Sequence, residues 1–119
     1  MPAFRVYLYG PNCGPIETTF EAAAERLQRL AGLYFEPDGS FVWSQKEETA
    51  SSPAGQVFGM LYDAAQQLQY VELWGDCDRP MWHKIVQAVL GSATHDLAVM
   101  TLPERQLQDL QGFEETAFC

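Results

Sequence analysis

Apolar and polar residues change rhythm along the chain, and the changes divide it into elements. Phe4-Arg5-Val6-Tyr7-Leu8-Tyr9 alternates residue by residue and is rich in β-formers, which predicts a strand. Gly10-Pro11-Asn12-Cys13-Gly14-Pro15 breaks it. Thr18-x-x-Glu21 has the form of a capping box, and the run behind it places Phe20, Ala24, Leu27 and Ala31 on one helical stripe. Gly32 suits the left-handed residue that closes such a helix. Leu33-Tyr34-Phe35 and Phe41-Val42-Trp43 flank Glu36-Pro37-Asp38-Gly39-Ser40, where Pro presets φ, Asp bonds its own backbone and Gly supplies positive φ; a β-hairpin is expected. The polar stretch from Lys46 to Pro53 is expected to be a loop.

Ser52-Pro53 then opens an expected second helix, with Val57, Leu61, Ala64 and Leu68 as its stripe and Gly59 inside it at a cost of about 1 kcal/mol against Ala. Tyr70–Trp74 is expected to be a strand, and Gly75-Asp76-Cys77-Asp78 a turn. Asp78 or Asp76 caps a third helix with Pro80 in its first turn and Met81, Ile85, Ala88 and Val89 on its inner face, ended by Gly91. Leu97–Met100 is a short, continuously apolar strand. Thr101-x-x-Glu104, with Pro103, begins a fourth helix that runs to Gly112.

The expected order is β-α-β-β-α-β-α-β-α. Its first six elements match the split β-α-β, or ferredoxin-like, two-layer sandwich, leaving an extra α-β-α at the C-terminus. The alternative is a three-layer α/β fold with a right-handed parallel crossover in the later β-α-β. The hairpin at residues 33–43 favours the α+β sandwich. Residues 1–112 are expected to form a single domain and residues 113–119 a loosely held tail.

Composition narrows the function classes. With 47% apolar residues in 119, the chain has material for a core without disulfide or metal. Seven Lys and Arg against 16 Asp and Glu give a net charge of −9, and no basic run exists to neutralise phosphates, so nucleic acid is not expected as a partner. No stretch reaches the roughly 18 apolar residues of a membrane span, and the N-terminus lacks a basic segment followed by a long apolar one. Neither a membrane nor an export signal is expected, and the location is expected to be cytoplasmic. Three cysteines without a C-x-x-C pair argue against a disulfide framework and against a cysteine-rich zinc site. Phosphate-binding glycine loops, His-Glu-x-x-His and Gly-x-Ser-x-Gly are absent from the sequence, and no cofactor is expected.

Three groups of residues carry candidate chemistry. In the sandwich one sheet face stays open. Arg5, Tyr7 and Tyr9 share one side of the first strand, and if Phe41 and Trp43 join them that side becomes an aromatic binding platform. Its expected use is binding a protein partner with a basic or mixed surface, which an acidic chain attracts. The second candidate is Cys13, a catalytic thiol between a strand and a helix N-terminus, where the helix dipole favours thiolate. Cys13-Gly14-Pro15 after a strand locally resembles the active turn of thioredoxin-like proteins, over that strand, turn and helix only. Ile16 stands where that family has its resolving cysteine, and no later Thr-Pro or Ile-Pro supplies its cis-proline signature. The third is a metal set of Cys77, His83 and Asp76, with Asp78 beside it; thiolate, imidazole and carboxylate together suit a borderline metal such as zinc. Against these stand a small turn residue at Cys13 and a helix cap with a surface histidine at Asp78 and His83. The oligomeric state is left open.

Overall fold

In the computed structural model, which describes residues 3–46, 53–92 and 96–118, the alternating N-terminal run forms strand β1 (Ala3–Tyr9). A single 3-10 turn at Pro11–Cys13 follows, and then helix α1 (Phe20–Gln28). The cap of α1 is Thr19, one residue beyond the expected Thr18, and its hydroxyl accepts from the Ala22 N–H at 3.1 Å. The Thr18 hydroxyl accepts instead from Arg26 Nη2 at 3.0 Å. The expected hairpin forms from β2 (Leu33–Phe35) and β3 (Ser40–Lys46), with Asp38 accepting from the Ser40 N–H and hydroxyl at its turn.

The segment expected to begin as a helix is strand β4 (Pro53–Ala64), joined to β5 (Gln67–Cys77). Val57, Gly59 and Leu61 are buried on one side of β4, while Phe58, Met60 and Tyr62 alternate onto the other. The two residues between the strands, Ala65 and Gln66, both take positive φ (51° and 70°), as a mirror-image two-residue hairpin turn requires. Gly59 explains itself in this register: Phe41, directly opposite on β3, lays its ring where a Gly59 side chain would stand.

Helix α2 (Arg79–Leu90) starts at Asp78, which accepts from the Met81 N–H at 3.0 Å, and ends at Gly91 as expected. Strand β6 (Ala98–Thr101) follows. The Thr101–Glu104 signal opens a turn, not a helix, and leads into β7 (Gln106–Asp109). Helix α3 (Leu110–Ala117) then begins on an Asp109 cap, with the Gly112 N–H donating at 2.7 Å. Its Phe113 is buried, and Phe118 packs on Phe4, Trp82 and Phe113, so residues 113–118 of the segment expected to be a loose tail are docked.

Among the described residues seven strands form one antiparallel sheet in the order β2-β3-β4-β5-β1-β6-β7. The chain is mixed α+β. Its order, β-α-β-β-β-β-α-β-β-α, departs from the split β-α-β sequence at β4, and the antiparallel pairing replaces the parallel crossover of the three-layer alternative. The helices cover one face. There Val6, Leu8, Phe41, Trp43, Val57, Leu61, Val71, Leu73 and Val99 meet Leu27, Trp82, Ile85 and Val89. Arg26 ties α1 to α2: its Nε and Nη2 donate to the Ala88 and Val89 carbonyls at 2.7 and 2.8 Å, a cation seated on the C-terminus of α2. Among the described residues no helix is long and apolar enough to cross a membrane.

Candidate functional site

The other face of the sheet carries no helix among the described residues. Its side chains follow from register, since residues directly opposite across an antiparallel pair point the same way. One row runs Tyr62, Tyr70, Tyr9 and Ala98 across β4, β5, β1 and β6. The next runs Met60, Glu72, Tyr7, Met100 and Leu107. A third runs Tyr34, Val42, Phe58, Trp74 and Arg5 from the β2 edge inward. Beyond it Ser44, Gln56 and Asp76 form a polar border, with Gln56 Nε2 donating to Ser44 Oγ at 3.0 Å.

The rings on this face touch one another. Tyr70 is the hub: its centroid lies 4.5 Å from Tyr62, stacked, and 5.4 and 5.6 Å from Tyr7 and Tyr9. Phe58 and Trp74 stack at 5.7 Å. Most of these rings are half-buried against their neighbours, whereas Tyr34 and Leu107 at the two margins are 63% and 49% exposed. An open groove of about 370 Å³ runs along the β2 end between Tyr34, Val42, Phe58 and Trp74, with Glu36 at its side.

One ion pair sits among the rings. Glu72 is buried between Met60 and Tyr7, and Arg5 pairs with it: its Nε donates to Oε2 at 3.0 Å, and its Nη2 lies 2.9 Å from the same oxygen. Tyr62 donates its hydroxyl to Oε1 at 3.3 Å. Burial raises the Tyr62 phenol above its ordinary 10.0, and the Glu72 carboxylate adds to the shift. Burial likewise raises Tyr9, with Tyr70, Tyr7 and Cys13 adding. Both phenols therefore stay protonated near neutral pH and remain donors.

Tyr7 and Tyr9 lie on the helix-free face. Phe41 and Trp43 do not join them; they are buried under the helices. The register sets this: Phe41 opposes Gly59 and fills the space above it, and Trp43 opposes Val57 while its Nε1 donates to the Ala31 carbonyl at 2.9 Å. Their outward neighbour on β3 is Val42. Cys13 is exposed in the 3-10 turn at φ +59°, well ahead of the Thr19 cap and outside the first turn of α1, where the helix dipole acts.

The metal set is not assembled. Cys77 is buried, and that burial, with Asp78 and Asp76 nearby, pushes its thiol up to about 12. Asp76 is exposed and points away from Cys77 across β5. His83 lies on the outer side of α2, its Nε2 3.4 Å from Glu114 Oε2, in a cleft of about 700 Å³ lined also by Arg79, Asp96 and Asp109. Among the described residues no group of three His, Cys, Asp or Glu side chains is placed to hold a metal. Residues 47–52, the interior of the loop expected from Lys46 to Pro53, lie outside the described residues.

Sequence reasoning missed Tyr34, Phe58, Met60, Tyr62, Tyr70, Trp74 and Met100. The signal was the alternation itself: Phe58, Met60 and Tyr62 on one side of Val57–Tyr62, and Tyr70, Glu72 and Trp74 on one side of the next strand. No protein-family model matches the chain, and neither curated proteins nor solved structures yield a match.

Proposed function

We propose that this chain is a non-catalytic protein-binding domain whose docking surface is the helix-free face of its sheet. The observation that carries the reading is the identity of the outward residues. A sheet face left to water alternates apolar-in with polar-out. Here the outward positions of the central strands include Phe58, Met60, Tyr62, Tyr70 and Trp74, continuous with Tyr7, Tyr9 and Met100, with Glu72 among them and Gln56 and Asp76 at the border. Broad apolar patches bordered by polar residues mark interaction sites, and Tyr and Trp dominate binding hot spots. The partner is a protein with a basic or mixed surface, since the chain carries −9 and the carboxylate of Glu72 lies buried among the aromatic rings of the face.

Affinity capture from the source cells with wild type, Tyr70→Ala, Trp74→Ala and the helix-face control Glu25→Ala tests this. The expected result is one binding protein retained by wild type and Glu25→Ala and lost by both face variants. Equal retention by all four contradicts the reading. Self-association in sedimentation that Trp74→Ala abolishes assigns the face to a second copy and contradicts the separate-partner reading.

A further inference from the structure

Resting on that reading of the face, we propose that Glu72 is the receptor for one arginine side chain of the partner, which displaces Arg5 and stacks its guanidinium on the tyrosine cluster. Glu72 is the single buried charged residue among the described residues, and it lies in the middle of the face, with tyrosines in one neighbouring row and Phe58 and Trp74 in the other. A carboxylate in such a place needs a cation beside it. The cation it has is loosely matched. Arg5 donates one hydrogen bond, from Nε, and brings Nη2 to the same oxygen, Oε2, so the two-oxygen fork that guanidinium and carboxylate favour is not made. Oε1 has only the 3.3 Å bond from Tyr62 and keeps acceptor capacity.

The Arg5 side chain is 63% exposed, so it leaves for water at little cost. A partner arginine taking its place keeps the buried carboxylate paired and uses both oxygens. It also comes beside the Tyr7 and Tyr70 rings, which lie 5.4 Å apart and whose π-systems attract a planar cation. Arginine fits better than lysine because a compact ammonium neither forks nor stacks.

The test is titration of a fluorescent hexa-arginine peptide against the full chain at physiological salt, beside a hexalysine peptide. Glu72→Gln is compared with Glu115→Gln, which removes the same charge at an exposed site, and Arg5→Gln with Arg79→Gln. The expected results are tighter binding of hexa-arginine than of hexalysine, about tenfold weakening by Glu72→Gln beyond its control, and tightening by Arg5→Gln beyond its own. Glu72→Gln at the level of Glu115→Gln overturns the proposal. If Glu72→Gln does not fold, as judged by circular dichroism, the sign of the Arg5→Gln effect decides, and no tightening overturns it. Tyr70→Ala separates the two readings. Weakening by Tyr70→Ala with Glu72→Gln at control level removes Glu72 as receptor and leaves the docking face standing; no weakening by either variant counts against both.

Discussion

A methyl group on Gly59 would run into the Phe41 ring, and that collision gives the residue scale its sharpest test. Gly59→Ala is expected to lower stability by about 1–3 kcal/mol through overpacking, read as an earlier urea midpoint. In the helix that the local spacing suggests, the same change would raise stability by about 1 kcal/mol. The sign alone therefore distinguishes strand from helix. Cys77 supplies a second test. Iodoacetamide is expected to modify the exposed Cys13 in native protein and Cys77 only after unfolding. The folded Cys77 thiol titrates at about 12 against an ordinary 9.0. Its contribution to stability is thus complete below about pH 9 and is lost as pH climbs towards 12. The raised phenols of Tyr9 and Tyr62 act in the same direction. Urea midpoints measured from pH 8 to 11 should fall, and fall less steeply in Cys77→Ala; a flat profile would contradict the buried thiol.

At the scale of elements, α3 holds its place through one aromatic cluster. Trp82 lies 5.1 Å from both Phe4 and Phe113, and its Nε1 donates to Glu114 Oε2 at 2.8 Å. Phe113→Ala should cost about 3–5 kcal/mol and Asp109→Ala, which removes the cap, about 1 kcal/mol. An unchanged melting temperature in both would return residues 113–118 to the loose tail their polarity suggests. Elements with a clean period and clear punctuation were legible in the sequence: β1, the Pro-Asp-Gly hairpin, and α2 between Asp78 and Gly91. Strand β4 was not, because Val57–Tyr62 is apolar on both sides. Val57, Leu61 and Leu68 satisfy helical spacing while Val57, Gly59 and Leu61 satisfy alternation. The turn that would have decided, Ala65-Gln66, lacks the Asn or Gly that usually marks positive φ. Thr101-x-x-Glu104 has the form of a cap but lies in the turn before β7, where the Arg105 N–H donates to the Thr101 carbonyl at 2.8 Å.

For the whole molecule, half of the candidate site was legible. Tyr7 and Tyr9 share a side within one strand, which alternation alone determines. Whether Phe41 and Trp43 share that side depends on how β3 meets β4, a long-range fact that no local pattern contains. Once the register is known, the outward rows of the seven described strands assemble into one surface with an aromatic centre, on a chain of net charge −9. A partner attracted by that charge should associate more slowly as salt rises from 50 to about 500 mM, while dissociation, set by the rings, changes little. The docking face is tested most directly by a photoreactive phenylalanine placed at Tyr34, whose side chain is exposed beside the groove, and another at Glu25 on the helix side. Irradiation in the source cells should give an adduct of one defined mass from position 34, none from position 25, and none from position 34 when Trp74 is changed to Ala. Adducts from both positions alike, or from neither, would contradict a docking face on the open side of the sheet.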